Sequence, residues 1–262
     1  MAGPGAFVLD CLNGAAEAAR RARRDPRGTD ALHRFRIGVR RLAVNVKAVE
    51  KTCGVPPKLR RRLRRVLRAT GPRRDRQVSA LWLDDFARGS RARADGARAL
   101  AEKLSRGSAP GPGPREWLAF ERTLKRLRRA LEKGLLKKAE LRRGRRRLVK
   151  KEWRRLARRL RQLDRGGGAP ALHRARIAVK KLRYLSESMD AFPRGVPAPR
   201  DLRRLQRALG EAHDRDVIAD AVAAVAGSPG LRAAARRALR QLKREKSSRL
   251  SDARRCWKPM LA

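Results

Sequence analysis

Two stretches of this chain carry the same chemistry-bearing residues at the same offsets. LHRFRIGVRRLAVNVK starts at Leu32 and LHRARIAVKKLRYLSE starts at Leu172. Each has a histidine, an arginine three residues on, and adjacent bases at seven and eight. His33, Arg36, Arg40 and Arg41 are thus echoed by His173, Arg176, Lys180 and Lys181. An α-helix turns about 100° per residue, so offsets of 0, 3 and 7 share one narrow stripe. Lys47 continues the first stripe, whereas Arg41 and Arg34 point elsewhere. Such a row suits anion binding. Arg presents a planar fork to two phosphate oxygens, Lys acts as a mobile point charge, and His adds a charge near neutral pH. Two stripes suggest two half-sites facing one anionic ligand.

Helices must position these groups. Leu32, Phe35, Val39, Leu42, Val46 and Val49 recur with helical spacing beside the first stripe. Leu172, Val179, Leu182 and Met189 do the same in the second copy. Long Arg stems can pack at the edge of an apolar face while their heads stay wet. The periodicity predicts helices near 6–24, 30–52, 58–70, 75–88 and 92–105, then 115–133, 135–163, 170–191, 199–209, 214–227 and 229–252. Asp30 is a candidate cap for the second helix, and Pro56–Pro57 ends it and launches the third.

The duplication extends beyond the signature. LRRVLRATGPRRDRQV, from Leu63, matches LRRLQRALGEAHDRDV, from Leu202. Gly71 and Gly210 read as helix stops, each followed four residues later by an aspartate, Asp75 or Asp214. Repetition of four or five helices implies an all-α fold of two tandem, pseudo-twofold-related four-helix bundles. The Gly/Pro-rich stretch near Ser105–Pro114 marks the boundary. The expected division is a first repeat over 1–106, a linker over 107–114 and a second repeat over 115–262.

Composition narrows the ligand class. The 262 residues hold 71 Lys and Arg against 25 Asp and Glu, a formal net charge of +46. That charge opposes compaction and is tolerable if a polyanion is usually bound. With 41 % hydrophobic residues, a disordered basic tail is excluded as the whole account. The scarcity of aromatic rings disfavours nucleic-acid binding by base stacking. Cys11, Cys53 and Cys256 are odd in number and lack a CxxC pattern, which suggests packing thiols in a reducing compartment. No run reaches membrane-span length, and the start lacks signal-peptide character. A cytoplasmic protein with no membrane role and no cofactor is the expectation. Asp75, Asp214 and Asp216 read as helix caps or arginine anchors rather than a metal pair. Tyr184 reads equally as a phosphate donor and as a core-edge residue. The arginine runs 142–147 and 154–159 read mostly as solvated faces.

The two signature helices, the phrase KKLRYLSE from Lys180 and the Gly-x-x-x-Asp junctions together resemble the CHAD domains, the conserved-histidine α-helical domains. The resemblance covers roughly Val8 to Leu250. It implies two four-helix bundles around a central basic groove or pore, and binding of inorganic polyphosphate, often at polyphosphate granules. Carried over residue by residue, the binding positions are His33, Arg36, Arg40, Arg41 and Lys47 in the first half. In the second half they are His173, Arg176, Lys180, Lys181 and Arg183, with Arg73 and Arg74 at the first junction as weaker candidates. The chain departs from the family at Ala43, where a base is frequent, and at His213, which takes the place of Arg74 in the second junction. The triphosphate tunnel enzyme often fused to such domains needs a β-barrel, which this helical chain does not provide.

The expected function is therefore non-catalytic binding of inorganic polyphosphate, tightening as pH falls through the histidine range. The competing reading is a non-specific nucleic-acid binder, supported by charge alone and expressed at low salt. An enzyme is disfavoured because no Walker loop or nucleophile–base constellation stands in the sequence.

Overall fold

Leu, Ala and Arg all favour helix, and they dominate this chain. The structure, a computed structural model, describes residues 4–26, 28–89, 91–106, 111–134, 138–187, 189 and 192–261. They form ten helices and no strand: α1 (Pro4–Arg24), α2 (Thr29–Val49), α3 (Pro57–Ala69), α4 (Gly71–Arg88), α5 (Arg91–Ser105), α6 (Pro114–Gly134), α7 (Lys138–Asp164), α8 (Gly168–Ser186), α9 (Pro199–Val225) and α10 (Arg232–Leu261). The all-α expectation is met. Helices are sorted into two compact units whose segments interleave along the chain. One gathers Met1–Gly71, Gly111–Arg158 and Ile177–Leu202, and the other Pro72–Pro110, Arg159–Arg176 and Arg203–Ala262. Each unit thus draws helices from both repeats. Residues 107–110 of the expected linker lie outside the described residues.

In the first unit, α1, α2, α3 and α6 close a ring in which each helix packs on two others. Val8 and Leu12 of α1, Phe35, Leu42 and Val46 of α2, Leu63 of α3, and Phe120 and Leu127 of α6 build one buried core. Phe35 anchors it, with its ring 5.0 Å from Trp117 and 5.3 Å from Phe120. Gly38 lets α2 approach α1 closely, since a Cβ there would sit 3.3 Å from the Ala15 Cα. In the second unit, Leu83 and Phe86 of α4, Leu100 of α5, Ile218 and Val222 of α9, and Leu242 of α10 share a core. There a Cβ on Gly96 would lie 2.6 Å from that of Ala234, so α5 and α10 pack without room for a side chain.

Several local expectations need correction. Asp30 does not cap α2. The N-cap is Gly28, whose N–H donates to the Asp25 carboxylate at 2.8 Å, and Asp30 instead pairs with Arg34. Helix α2 ends at Val49, before the prolines, and the chain turns through Gly54 at φ +61°. Pro57 does open α3. Gly71 starts α4 rather than closing a helix, and Gly210 lies inside an uninterrupted α9. The expected break at 210–213 is absent because Leu209, Ala212 and Ile218 bury against the core on either side. That burial outweighs the cost of about 1 kcal/mol of one interior glycine. The junction aspartates Asp75 and Asp214 accordingly lie inside α4 and α9.

Candidate anion-binding site

Helix α2 turns Phe35, Val39, Leu42 and Val46 fully inward, which leaves His33, Arg36, Arg40, Arg41 and Lys47 half-buried at the rim of that face. Their roles then divide. The Arg36 guanidinium donates from Nη1 to the Leu67 carbonyl at 2.7 Å and to Thr70 Oγ1 at 2.6 Å. It thereby satisfies the exposed carbonyl end of α3, where a cation also suits the helix dipole. Arg41 pairs through Nε with Glu187 Oε2 at 2.5 Å and lies over the Phe7 ring. Among the described residues, Arg40 and Lys47 make no ion pair.

The later part of α8, with Lys180, Lys181 and Arg183, belongs to the same unit and meets α2 directly. Asn45 Nδ2 donates to the Tyr184 carbonyl at 3.3 Å. Lys181 pairs with Glu152 of α7, whose side chain is only 3 % exposed. Burial depresses the Lys181 pKa, and the like charges of Lys47 and Arg155 act in the same direction, while Glu152 opposes them. Arg183 donates to Glu187 Oε1 at 2.6 Å and covers the buried Tyr184 ring. Tyr184 is thus a core residue. Ala43, the family departure, is also buried, so a base there would have to be accommodated within the core.

Superposing the two copies by sequence shows an asymmetry. Arg41 corresponds to Lys181, and Lys47 corresponds to Glu187. Across the α2–α8 contact, Arg41 therefore meets an acid while Lys181 meets a base. Glu152 supplies the missing counter-charge to Lys181, and Lys47 is left as a cation with no partner of opposite sign among the described residues. Of these signature residues, Arg41, Lys181 and Arg183 are thus paired with acids, and Lys47 is not.

His173 and Arg176, at the start of α8, belong to the second unit. His173 Nδ1 lies 3.3 Å from His213 Nε2, with ring centroids 4.8 Å apart. Arg176 pairs with Asp214 at 3.4 Å, so the junction aspartate does anchor a signature arginine. Asp216 likewise pairs with Lys246 at 2.5 Å. Arg73 and Arg74 are half-buried in the first turn of α4. His213 is the addition here, and its one sequence signal was its place at the junction in register with Arg74.

Sequence reasoning also missed the buried supports in the first unit. Arg145, in a run read mostly as solvated, is 2 % exposed. It donates to Asn45 Oδ1 at 2.9 Å and to the Leu185 carbonyl at 3.3 Å, and burial pushes its pKa down to about 10. Asn45 was detectable as a polar residue within the apolar periodicity of α2. Glu152 was detectable as the single acid between Glu140 and Asp164. Among the described residues no helix is long and apolar enough to cross a membrane.

A family model described as the CHAD domain matches residues 6–223. The CHAD domain crystal structure from the plant Ricinus communis is similar at TM-score 0.69 and 21 % identity, covering 98 % of this chain and 90 % of that one. PptA from Streptomyces chartreusis is similar at TM-score 0.61 and 16 % identity, covering 99 % of each chain. These likenesses concern the fold. Among curated proteins, none matches the chain.

Proposed function

The chain belongs to the CHAD domain family, and from that premise we propose that it is a non-catalytic binder of inorganic polyphosphate that targets or organises this polymer at granules. The observation that carries the reading is the division of labour in the signature. Arg36, Arg41, Lys181 and Arg183 are tied to protein partners, which holds the helices in register. Arg40 and Lys47 remain beside them as available cations. A linear polyphosphate offers closely spaced charges and no bases or rings, so rigidly placed Arg and Lys heads are the features that recognise it. The +46 net charge adds long-range attraction for any polyanion, which also favours the second reading, non-specific nucleic-acid binding.

Competition between polyphosphate and duplex DNA at physiological salt separates the two. The variant is Arg40→Gln with Lys47→Gln, since neutralising Arg36 or Lys181 would instead expose the helix framework to damage. The control is Arg236→Gln with Arg240→Gln on the exposed face of α10. Native protein and control should prefer polyphosphate. The signature variant should lose about tenfold or more in polyphosphate affinity, the order of a charge-assisted hydrogen bond. Equal losses in both variants, or no preference in the native protein, would leave bulk charge as the explanation.

A further inference from the structure

The exposed face of α7 is a second cationic feature. Within the first unit its bases from Arg142 to Arg158, the buried Arg145 apart, are all exposed. None of these makes an ion pair among the described residues. The one acid on this stretch, Glu152, is buried and committed to Lys181. An exposed helix face is ordinarily laced with i, i+4 pairs of opposite sign, as Glu17 with Arg20 and Arg21 on α1. A face of bases alone forgoes that support and adds repulsion along its own length.

The placement of one ridge gives the face a direction. Arg143, Arg147, Lys151 and Arg155 follow one another at four-residue intervals, so neighbouring side chains stand about 6 Å apart. Such a ridge runs obliquely to the helix axis. It ends at Arg155, one turn beyond Glu152, whose carboxylate pairs with Lys181, and the charges of Arg155 and Lys47 both bear on that same lysine. From Arg155 the ridge runs back for about 18 Å along α7 to Arg143.

We propose that this ridge is an extension of the polyphosphate site that engages only long chains, making affinity depend on chain length. The proposal rests on the polyphosphate reading above and adds a subsite to it. A short oligomer held at Lys47 and Arg40 has few phosphates left to place on the ridge. A long chain passes Arg155 and neutralises the ridge, releasing counter-ions as it does so. Continuity with the signature cations is the reason to assign the ridge to the same ligand rather than to a separate polymer.

The test uses the full chain and the variant Arg143→Gln/Arg147→Gln/Lys151→Gln, whose sites are exposed and make no ion pair. Binding of tripolyphosphate, long-chain polyphosphate and duplex DNA is measured over a salt series. The expected result is a loss of about tenfold or more for the long chain, with a shallower salt slope and tripolyphosphate binding unchanged. Equal loss for short and long polyphosphate would reduce the ridge to a general field and overturn the proposal. Loss for DNA alone would make it a nucleic-acid surface, which also overturns it. The Arg40→Gln/Lys47→Gln variant keeps the two claims apart. If it binds both polyphosphates normally, the functional reading fails. If it weakens both while the α7 variant weakens neither, the extension alone fails.

Discussion

Cys11 shows how burial sets the chemistry of one side chain. It lies against Asn45 in the core of the first unit, 4 % exposed. Burial raises its thiol pKa from 9.0 to about 11, with Arg41 opposing and Glu187 adding to the rise. The folded thiol thus holds its proton more tightly than the unfolded one. Its contribution to stability is complete below pH 9 and is lost as pH rises towards 11, a difference on the order of 3 kcal/mol. Urea unfolding of native protein and Cys11→Ala at pH 8 and above pH 10 should show the native chain losing more stability on alkalinisation. Equal losses would mean that the thiol does not sense its surroundings in this way. Individual charges were the least legible part of the sequence for the same reason. The spacing of His33, Arg36 and Arg40 places them on a helix edge. Whether each head meets a carbonyl, an acid or solvent depends on residues such as Leu67, Glu152 and Glu187, far away in sequence.

Helices were more legible than their ends. Periodic Leu and Val placed α2 and α8 because burial of one face dominates their energetics. Glycine was the misleading signal. Its conformational freedom stops a helix only where the chain takes positive φ, as at Gly54 and Gly166. Gly210 keeps helical geometry, and a Cβ there would meet nothing within 4 Å. Gly210→Ala should stabilise the protein by about 0.5–1 kcal/mol. Gly54→Ala, at φ +61°, should destabilise by about 1 kcal/mol or more. Denaturant midpoints of the two variants check both signs. A destabilised Gly210→Ala would show that α9 bends or opens at this point.

For the whole molecule, charge and fold pull in opposite directions. Apolar cores in both units hold together a chain of net charge +46, and a polyanion bound to the folded state would relieve the resulting repulsion. Long-chain polyphosphate should therefore raise the melting temperature strongly. Occupancy at a hundredfold excess over Kd is worth about 2.7 kcal/mol. The native chain should gain more than the Arg40→Gln/Lys47→Gln variant at equal polymer concentration, and identical gains would make the effect one of general screening. Family and helical class were legible because the histidine, the arginine three residues on and the paired bases recur in both copies. The interleaving of the two units was not, because the packing of α6 with α1 and α3 is decided by tertiary burial. Positions 47 and 187 are equivalent in the two copies but hold lysine and glutamate. Lysine and glutamate codons differ by a single base, so one substitution at position 47 or 187 suffices to turn an open charge into a strut, or a strut into an open charge. Exchanging the two residues should transfer those duties between the copies.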